Sequence, residues 1–106
     1  MQKLIFSLLV LCCIAGSCKK AANPPANEVY MQNKKFYPNQ LIVPVGTKVT
    51  WTDKDALKYT VTENSNLFDS GKMDKDQTFS YTFTNPGQYN YYSNTYQNMT
   101  GIIVVQ

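Results

Sequence analysis

Cysteine, methionine and tyrosine are the side chains in this sequence that could do metal or redox chemistry. The 106 residues include 3 Cys, 4 Met and 8 Tyr, but no histidine and no arginine. Without histidine there is no imidazole to bind a metal, act as a general base or titrate near neutral pH. Met31, Met73 and Met99 carry thioethers that suit soft metals, but they lie far apart in the sequence and form no Met-x-x-Met cluster.

The acidic residues show no catalytic pattern. They form neither a paired-carboxylate site nor the spacing of an EF-hand. No nucleophile has a visible base, and there is no glycine-rich phosphate loop. The sequence therefore predicts a protein that is not an enzyme and has no catalytic residues. The carboxylates predicted to lie in loops, scattered among lysines, are Asp53, Asp55, Asp69, Asp74 and Asp76.

The formal net charge of +3 comes from the N-terminal end of the chain. Lys3, Lys19 and Lys20 lie in the first 20 residues, and the other residues include seven lysines and seven acidic side chains. A nucleic-acid binder normally carries a basic stripe on its folded body. The sequence therefore predicts no nucleic-acid partner.

The first eighteen residues have the pattern of a secretory leader. A positive start, Met1–Lys3, precedes an apolar run of twelve residues, Leu4–Ala15. This run is short for a spanning helix, which needs about 20 apolar residues, and is typical of a signal peptide. The sequence Ala-Gly-Ser-Cys at 15–18 resembles a bacterial lipobox, although Ala15 stands where Leu is usual. We therefore expect a signal peptide at residues 1–17 and lipidation of Cys18.

A lipid on Cys18 would tether the protein to a membrane without a spanning segment. The alternative is a plain secretory leader with an incidental cysteine. Lys19 follows the cysteine where Asp would favour the inner membrane, so the resemblance implies the outer membrane, with the domain facing the periplasm or the cell surface. Cys12 and Cys13 leave with the leader, so no disulfide is expected. Residues 18–26 are predicted to be the lipidated cysteine and a flexible tether, and residues 27–106 a single domain.

Short segments of alternating apolar and polar residues predict a β-rich domain. Val49 and Trp51 share one face of a strand, and Phe79 and Tyr81 share one face of another. Pro44 places its strand at a sheet edge, because proline cannot donate to a ladder. Seven short strands at this spacing favour an antiparallel β-sandwich. The predicted strands are Glu28–Gln32, Leu41–Val45, Lys48–Thr52, Tyr59–Glu63, Thr78–Thr84, Gln88–Ser93 and Gly101–Gln106.

The segment from Phe36 to Val105 resembles the cupredoxins, most closely the short plastocyanin, pseudoazurin and amicyanin type. Several stretches carry the resemblance, in matching order and spacing over nearly the whole predicted domain. They are FYPNQL (36–41), VGT (45–47), VTWTDKD (49–55), TVT (60–62), FDSG (68–71), FSYTF (79–83), PGQY (86–89) and MTG (99–101). The resemblance implies an all-β Greek-key sandwich of seven to eight strands that binds one type 1 copper at one end.

The sequence departs from the family at the copper ligands. Type 1 copper is held by two histidines, a cysteine thiolate and a weak axial methionine. The resemblance places Tyr59 and Tyr96 at the histidine positions and Ser93 at the cysteine position. Only the axial methionine matches, as Met99. Because the thiolate and both imidazoles are missing, we expect no metal site, no copper cofactor and no blue-copper electron transfer.

Three interpretations of these positions are open. Tyr59, Tyr96 and Met99 could simply fill the space that a metal and two imidazoles occupy in the family, because unfilled cavities destabilise a core. Polar and aromatic side chains at this end could instead form a contact surface for a protein partner. The third interpretation is soft-metal binding by methionines. The candidate partner surface consists of Tyr59, Tyr92, Asn94, Tyr96, Gln97 and Asn98.

Three functions are compatible with this sequence. The first is a copper-free, membrane-tethered binding or structural module of the bacterial cell envelope. The second is a copper-binding or electron-transfer cupredoxin whose site is atypical or is completed by a partner near Met99. The third is an accessory to a larger envelope complex, in which the domain is a spacer or cap. The fold alone does not choose among them, because function is carried by the site.

Overall fold

The computed structural model describes residues 24–106. The predicted signal peptide (1–17), the predicted lipidation of Cys18 and most of the predicted tether (18–26) lie outside the described residues. Within residues 24–106 there is no helix that is long and apolar enough to cross a membrane.

The described residues form eight β-strands. In chain order they are β1 (Glu28–Gln32), β2 (Lys35–Tyr37), β3 (Gln40–Val43), β4 (Lys48–Asp53), β5 (Thr62–Glu63), β6 (Thr78–Thr82), β7 (Gly87–Tyr92) and β8 (Thr100–Val105). Buried side chains alternate with more accessible ones along β1, β4 and β8. This period of two is what strands show when one face packs on a core.

The strands pair into two four-stranded sheets, with strand orders β2-β1-β4-β6 and β3-β8-β7-β5. The predicted all-β sandwich is therefore confirmed, and β3, which leads to Pro44, lies at a sheet edge as predicted. Two pairings, β1 with β4 and β3 with β8, are parallel, so the sheets are mixed rather than wholly antiparallel. Local alternation does not reveal this, because the parallel partners are separated in the chain by other strands.

The strand predicted over Tyr59–Glu63 is shorter in the structure, where only its last two residues form β5. The backbone amides of Thr60 and Val61 donate to serine hydroxyls instead of to a neighbouring strand. The acceptors are Ser93 Oγ at 3.1 Å and Ser70 Oγ at 2.8 Å. Side-chain acceptors thus satisfy the backbone where a strand was predicted.

Strand β2 is absent from the predicted strands, because three residues are too few to show a pattern. A two-residue turn at Asn33 and Lys34 joins it to β1, and both turn residues have positive φ, 56° and 61°. Positive φ at both central residues belongs to the tight hairpin turn whose twist matches that of the strands. Because β1 runs parallel to β4, this turn lies at the same end of the sheet as Asp53.

The core between the two sheets is rich in aromatic side chains. Trp51, predicted to be a core residue, is fully buried. Its ring packs against those of Phe68, Phe79 and Tyr91 at centroid distances of 5.7, 5.8 and 5.4 Å. Residues from both sheets and from the β5–β6 connection therefore meet around the single tryptophan.

Gly101 makes room for one of these rings. It faces Tyr91 across the β7–β8 ladder, and a Cβ added to it would lie 2.7 Å from Cε2 of Tyr91. We therefore expect Gly101→Ala to lower the free energy of unfolding by about 1–3 kcal/mol, the usual cost of overpacking a core. Urea denaturation measures the change, with Asn90→Ala, an exposed substitution in the same ladder, as the control. A loss no larger than the roughly 0.5 kcal/mol typical of surface substitutions would show that the ring moves aside freely.

Candidate functional site

The segment between β7 and β8 is a compact loop held by its own backbone. The amide of Ser93 donates to the carbonyl of Met99 at 3.0 Å. The amide of Tyr96 donates to the carbonyl of Ser93 at 3.2 Å, and the amide of Met99 donates to the carbonyl of Tyr96 at 2.8 Å. These bonds hold the three residues together at one end of the sandwich.

Tyr59 reaches the same end from the connection between β4 and β5. Its side chain is fully buried, and its ring packs edge-on against the ring of Tyr96 at a centroid distance of 5.8 Å. The next residue ties the two segments together, because the Thr60 amide donates to Ser93 Oγ at 3.1 Å. The structure thus brings together all four positions that the resemblance assigns to copper ligands: Tyr59, Ser93, Tyr96 and Met99.

The hydroxyl of Tyr59 makes two hydrogen bonds that connect separate parts of the chain. It accepts a bond from the Lys34 amide at 2.8 Å and donates one to Asp55 Oδ2 at 3.0 Å. The same carboxylate oxygen accepts a bond from the Asn33 amide at 3.0 Å. Burial, together with the hydrogen bond to the Asp55 carboxylate, raises the pKa of Tyr59 to about 12. The phenol therefore stays protonated at neutral pH.

Most of the predicted partner surface is accessible in the structure. Asn94, Gln97 and Asn98 are exposed, and Tyr92 and Tyr96 are half-buried. The placement of Tyr59 on this surface is corrected, because its side chain is fully buried and lies beneath the surface. The bonds to Asp55 and to the Lys34 amide hold its hydroxyl inside.

A concave surface opens beside the loop. A cavity of about 570 Å³ lies between the β1–β2 hairpin and the start of β8, and Lys34, Lys35, Asn98 and Met99 are among its lining residues. A neighbouring cavity of about 390 Å³ shares these four residues and adds Tyr96. The Lys34 ammonium lies over the Tyr96 ring, 5.0 Å from its centroid, in a cation–π contact. We refer to these two cavities together as the lysine groove.

Asp53 departs from the prediction that the acidic residues lie in loops. It is the last residue of β4, and its side chain is fully buried. One carboxylate oxygen accepts a bond from the Asp55 amide at 3.0 Å, whereas Oδ2 has no hydrogen-bond partner. Burial, and to a lesser degree the charge of Asp55, raises the pKa of Asp53. The alternation along β4 could have predicted this burial, because Asp53 lies two residues after Trp51 and four after Val49 and so shares their inward face.

Sequence reasoning assigned no role in the site to Lys34, Asp55 or Thr60. Lys34 acquires its position from a turn geometry that depends on the pairing of β1 with β2. Asp55 precedes Tyr59 by four residues in a connection, and this spacing is the one signal that could have pointed to their contact. Thr60 acts on Ser93 through its backbone amide, which carries no sequence signature.

Comparison with known proteins identifies the family. The family model of the cupredoxin-like domain matches residues 4–105. The chain is 32% identical over 104 residues to amicyanin-alpha of Methylorubrum extorquens, and the match covers 87% of this chain and 83% of that protein. It is 31% identical over 77 residues to amicyanin of Paracoccus denitrificans, covering 68% of this chain and 59% of that protein. The chain therefore belongs to the cupredoxin family.

Solved structures agree with this assignment. An amicyanin variant in its oxidized state is 30% identical, with a TM-score of 0.72 over 76% of this chain and 82% of that one. The Cu(I) form of another amicyanin variant is 29% identical, with a TM-score of 0.72 over 83% of this chain and 87% of that one. A purple cupredoxin from Nitrosopumilus maritimus is 25% identical, with a TM-score of 0.71 over 77% of this chain and 100% of that one.

The side chains at the four positions that the resemblance assigns to copper ligands do not match the donor set of type 1 copper. That set needs a thiolate and two imidazoles, and residues 24–106 contain neither Cys nor His. Ser93 offers a neutral hydroxyl, and Tyr59 and Tyr96 offer phenols. Met99, which is buried, is the one residue of the four that has the family's type. Among residues 24–106, no three His, Cys, Asp or Glu side chains are grouped so as to hold a metal ion.

Replacing Asp53 by asparagine is expected to stabilise the domain near neutral pH. The pKa of Asp53 is raised in the folded protein above its ordinary value of 3.8. The folded state therefore binds this proton more tightly than the unfolded chain, and stability is lost as the pH rises through the folded-state pKa. An asparagine side chain keeps an oxygen that can accept the bond from the Asp55 backbone N–H, and it carries no charge. We expect Asp53→Asn to raise the free energy of unfolding at pH 7, because burying a charge costs more than burying a neutral amide.

The gain should shrink as the pH falls to about 3, because the carboxyl group is then largely protonated in both states. Urea denaturation at several pH values measures it. Asp76→Asn is the matched control, since Asp76 is exposed and its positive φ of 69° also suits asparagine. A loss of stability at pH 7 for Asp53→Asn would show that the buried carboxylate is favourably paired in its charged form.

Proposed function

We propose that this chain is a membrane-tethered cupredoxin-like domain that has lost the type 1 copper site. It acts as a non-catalytic binding or structural module of the bacterial cell envelope. The tether is the lipid on Cys18, and the anchoring membrane is the outer membrane, with the domain facing the periplasm or the cell surface. The partner is an envelope protein that contacts the end of the sandwich formed by the 93–99 loop.

The bonding of Tyr59 is the observation that carries this proposal. Its buried ring lies at the position that the resemblance assigns to a histidine ligand. Its hydroxyl is engaged by the Lys34 amide and by Asp55. A metal could bind the phenolate only by displacing a proton whose pKa is about 12 and by breaking the bond to Asp55. The side chain therefore favours a closed, metal-free end.

Ser93 supports the same conclusion. The thiolate is the form of cysteine that binds metals, and a serine hydroxyl does not ionise at neutral pH. In this chain Ser93 is fully buried, and its oxygen accepts the Thr60 amide at 3.1 Å. The hydroxyl thus stabilises the contact between the two segments and supplies no negative charge to a metal.

Met99 favours a second candidate, a copper-binding or electron-transfer cupredoxin with an atypical site. It keeps the residue type of the axial ligand, and it lies at the lysine groove although its side chain is only 2% exposed. A partner protein that supplies thiolate or imidazole donors near the groove would complete such a site. This candidate predicts copper binding that depends on Met99 or on the partner.

Copper titration of residues 19–106 tests the proposal. Calorimetry with Cu(I) and with Cu(II) is expected to show no tight one-to-one binding, because the thiolate and both imidazoles are missing. Metal analysis of the purified protein provides an independent check. Tight stoichiometric binding that disappears in Met99→Ala would contradict the proposed loss of the site and would favour the second candidate.

Restoring the family's ligands tests whether the backbone has kept the geometry of the site. We expect the combined variant Tyr59→His, Ser93→Cys and Tyr96→His to bind copper. It should show the intense thiolate-to-copper absorption in the red part of the visible spectrum, because backbone bonds place Ser93 beside Tyr96 and the Tyr59 ring packs against that of Tyr96. The double variant Tyr59→His and Tyr96→His is the control, since it lacks the thiolate and should show no such band. A folded triple variant that binds copper without this band would contradict the assignment of the four positions.

A further inference from the structure

Lys34 is held in an unusual backbone conformation. Its φ is 61°, in the left-handed region that glycine and asparagine tolerate better than lysine does. The preceding residue, Asn33, has a φ of 56°, so the whole turn has this geometry. Lysine at such a position costs folding free energy, although a two-residue hairpin turn requires this geometry. The contacts of Lys34 show how the turn is stabilised.

The buried side chain of Tyr59 holds the Asn33–Lys34 turn by a hydrogen bond. The Lys34 amide donates to the Tyr59 hydroxyl at 2.8 Å, and the Asn33 amide donates to Asp55 at 3.0 Å. Above the turn, the Lys34 ammonium lies 5.0 Å from the centroid of the Tyr96 ring. The backbone and the side chain of Lys34 are thus both in contact with tyrosines, and its ammonium group lies at the lysine groove.

The composition of the lysine groove suits an anionic peptide. Lys34 and Lys35 both line its two cavities, and no acidic residue among those described lines either of them. Apolar contact comes from the exposed ring of Tyr37 and from the ring of Tyr96, and the exposed amide of Asn98 can both donate and accept hydrogen bonds. Ammonium groups beside aromatic rings and amides offer partners to carboxylates, apolar side chains and peptide backbone alike.

We propose that the lysine groove binds a carboxylate-rich peptide segment of a partner protein. Lys34 and Lys35 pair with its carboxylates, and Tyr59 is a positioning residue that holds Lys34 from beneath. This inference rests on the proposed function, since it names the partner chemistry of the same end of the domain.

One observation favours a peptide over a lipid surface. Polybasic membrane-binding segments typically carry 4–8 basic residues, whereas the groove has the two lysines Lys34 and Lys35. A lipid surface would therefore be held weakly. A short acidic segment needs only one or two ion pairs together with the apolar and amide contacts that the groove offers.

Fluorescence anisotropy tests the proposal on the full-length protein in nonionic detergent, with EDTA present. The probe is a fluorescein-labelled peptide of about twelve residues that is rich in glutamate and contains two tyrosines, a length that can follow a groove. A matched peptide has glutamine at every glutamate position. We expect the glutamate peptide to bind at least about tenfold more tightly than its glutamine counterpart, and its affinity to fall as salt screens the lysines.

Charge reversal identifies the groove as the binding site. Lys34→Glu and Lys35→Glu are each expected to weaken the glutamate peptide about tenfold. Lys48→Glu is the matched control, because Lys48 is exposed and lies at the opposite end of β4. Equal weakening by Lys48→Glu, or equal affinity for the two peptides, would overturn the proposal.

Tyr59→Phe tests the positioning role. This variant keeps the ring and releases the Lys34 amide, and we expect the peptide to bind about fivefold more weakly because the lysine is no longer preorganised. In the Tyr59→Phe background, Lys34→Glu should then cost less than it does in the wild type. A full Lys34→Glu effect in both backgrounds would show that Tyr59 does not position Lys34.

Other occupants of the groove give distinct outcomes. Binding to phosphatidylglycerol vesicles that exceeds binding to phosphatidylcholine vesicles, with the excess lost in Lys34→Glu, would replace the peptide by a lipid surface. Self-association that is lost in Lys34→Glu would replace it by a second copy of the chain. Because EDTA removes metals, failure of the peptide assay leaves the metal-free proposal standing. Tight copper binding in the titration would overturn that proposal without changing the peptide result.

Discussion

The hydroxyl group of Tyr59 is the contact on which this end of the sandwich depends. Through Lys34 and Asp55 it joins the β1–β2 turn to the β4–β5 connection, and its ring carries the contact on to Tyr96 in the 93–99 loop. The turn needs this support, because Asn33 and Lys34 both adopt positive φ. Without the hydroxyl, a part-buried amide and a carboxylate would each lose a partner, and unsatisfied polar groups cost more than a hydrogen bond contributes on average.

In the proposed metal-free domain this network performs a task that a metal performs in metalloproteins. A bound metal joins ligands from separate segments, and its binding free energy contributes to folding. Here a phenol, a carboxylate and two backbone amides join the segments, and an aromatic ring fills space that would otherwise be an unfavourable cavity. Asp53 shows that the arrangement also has a cost, because its buried Oδ2 has no hydrogen-bond partner.

The sandwich was predictable because strands follow from local alternation. Trp51 on β4, with inward parity, is buried as that alternation requires. The grouping of Ser93 and Met99 was predictable from the resemblance. The network around Tyr59 was not, because its donors are the backbone amides of Asn33 and Lys34. Their directions depend on a turn conformation and on the pairing of a three-residue strand, and neither leaves a pattern in residue types.

The burial of Tyr59 also joins two interpretations that the sequence left as alternatives. One took Tyr59 as a filler of empty space, and the other took it as part of a contact surface. The structure places it beneath the surface, where its ring fills the core and its hydroxyl holds the turn that presents Lys34. Because Tyr59 both fills space in the core and bonds to the Lys34 amide, it determines how the Lys34 side chain is presented at the surface. In the proposed binding module, specificity therefore depends on a residue that no partner touches, which a comparison of exposed side chains alone would miss.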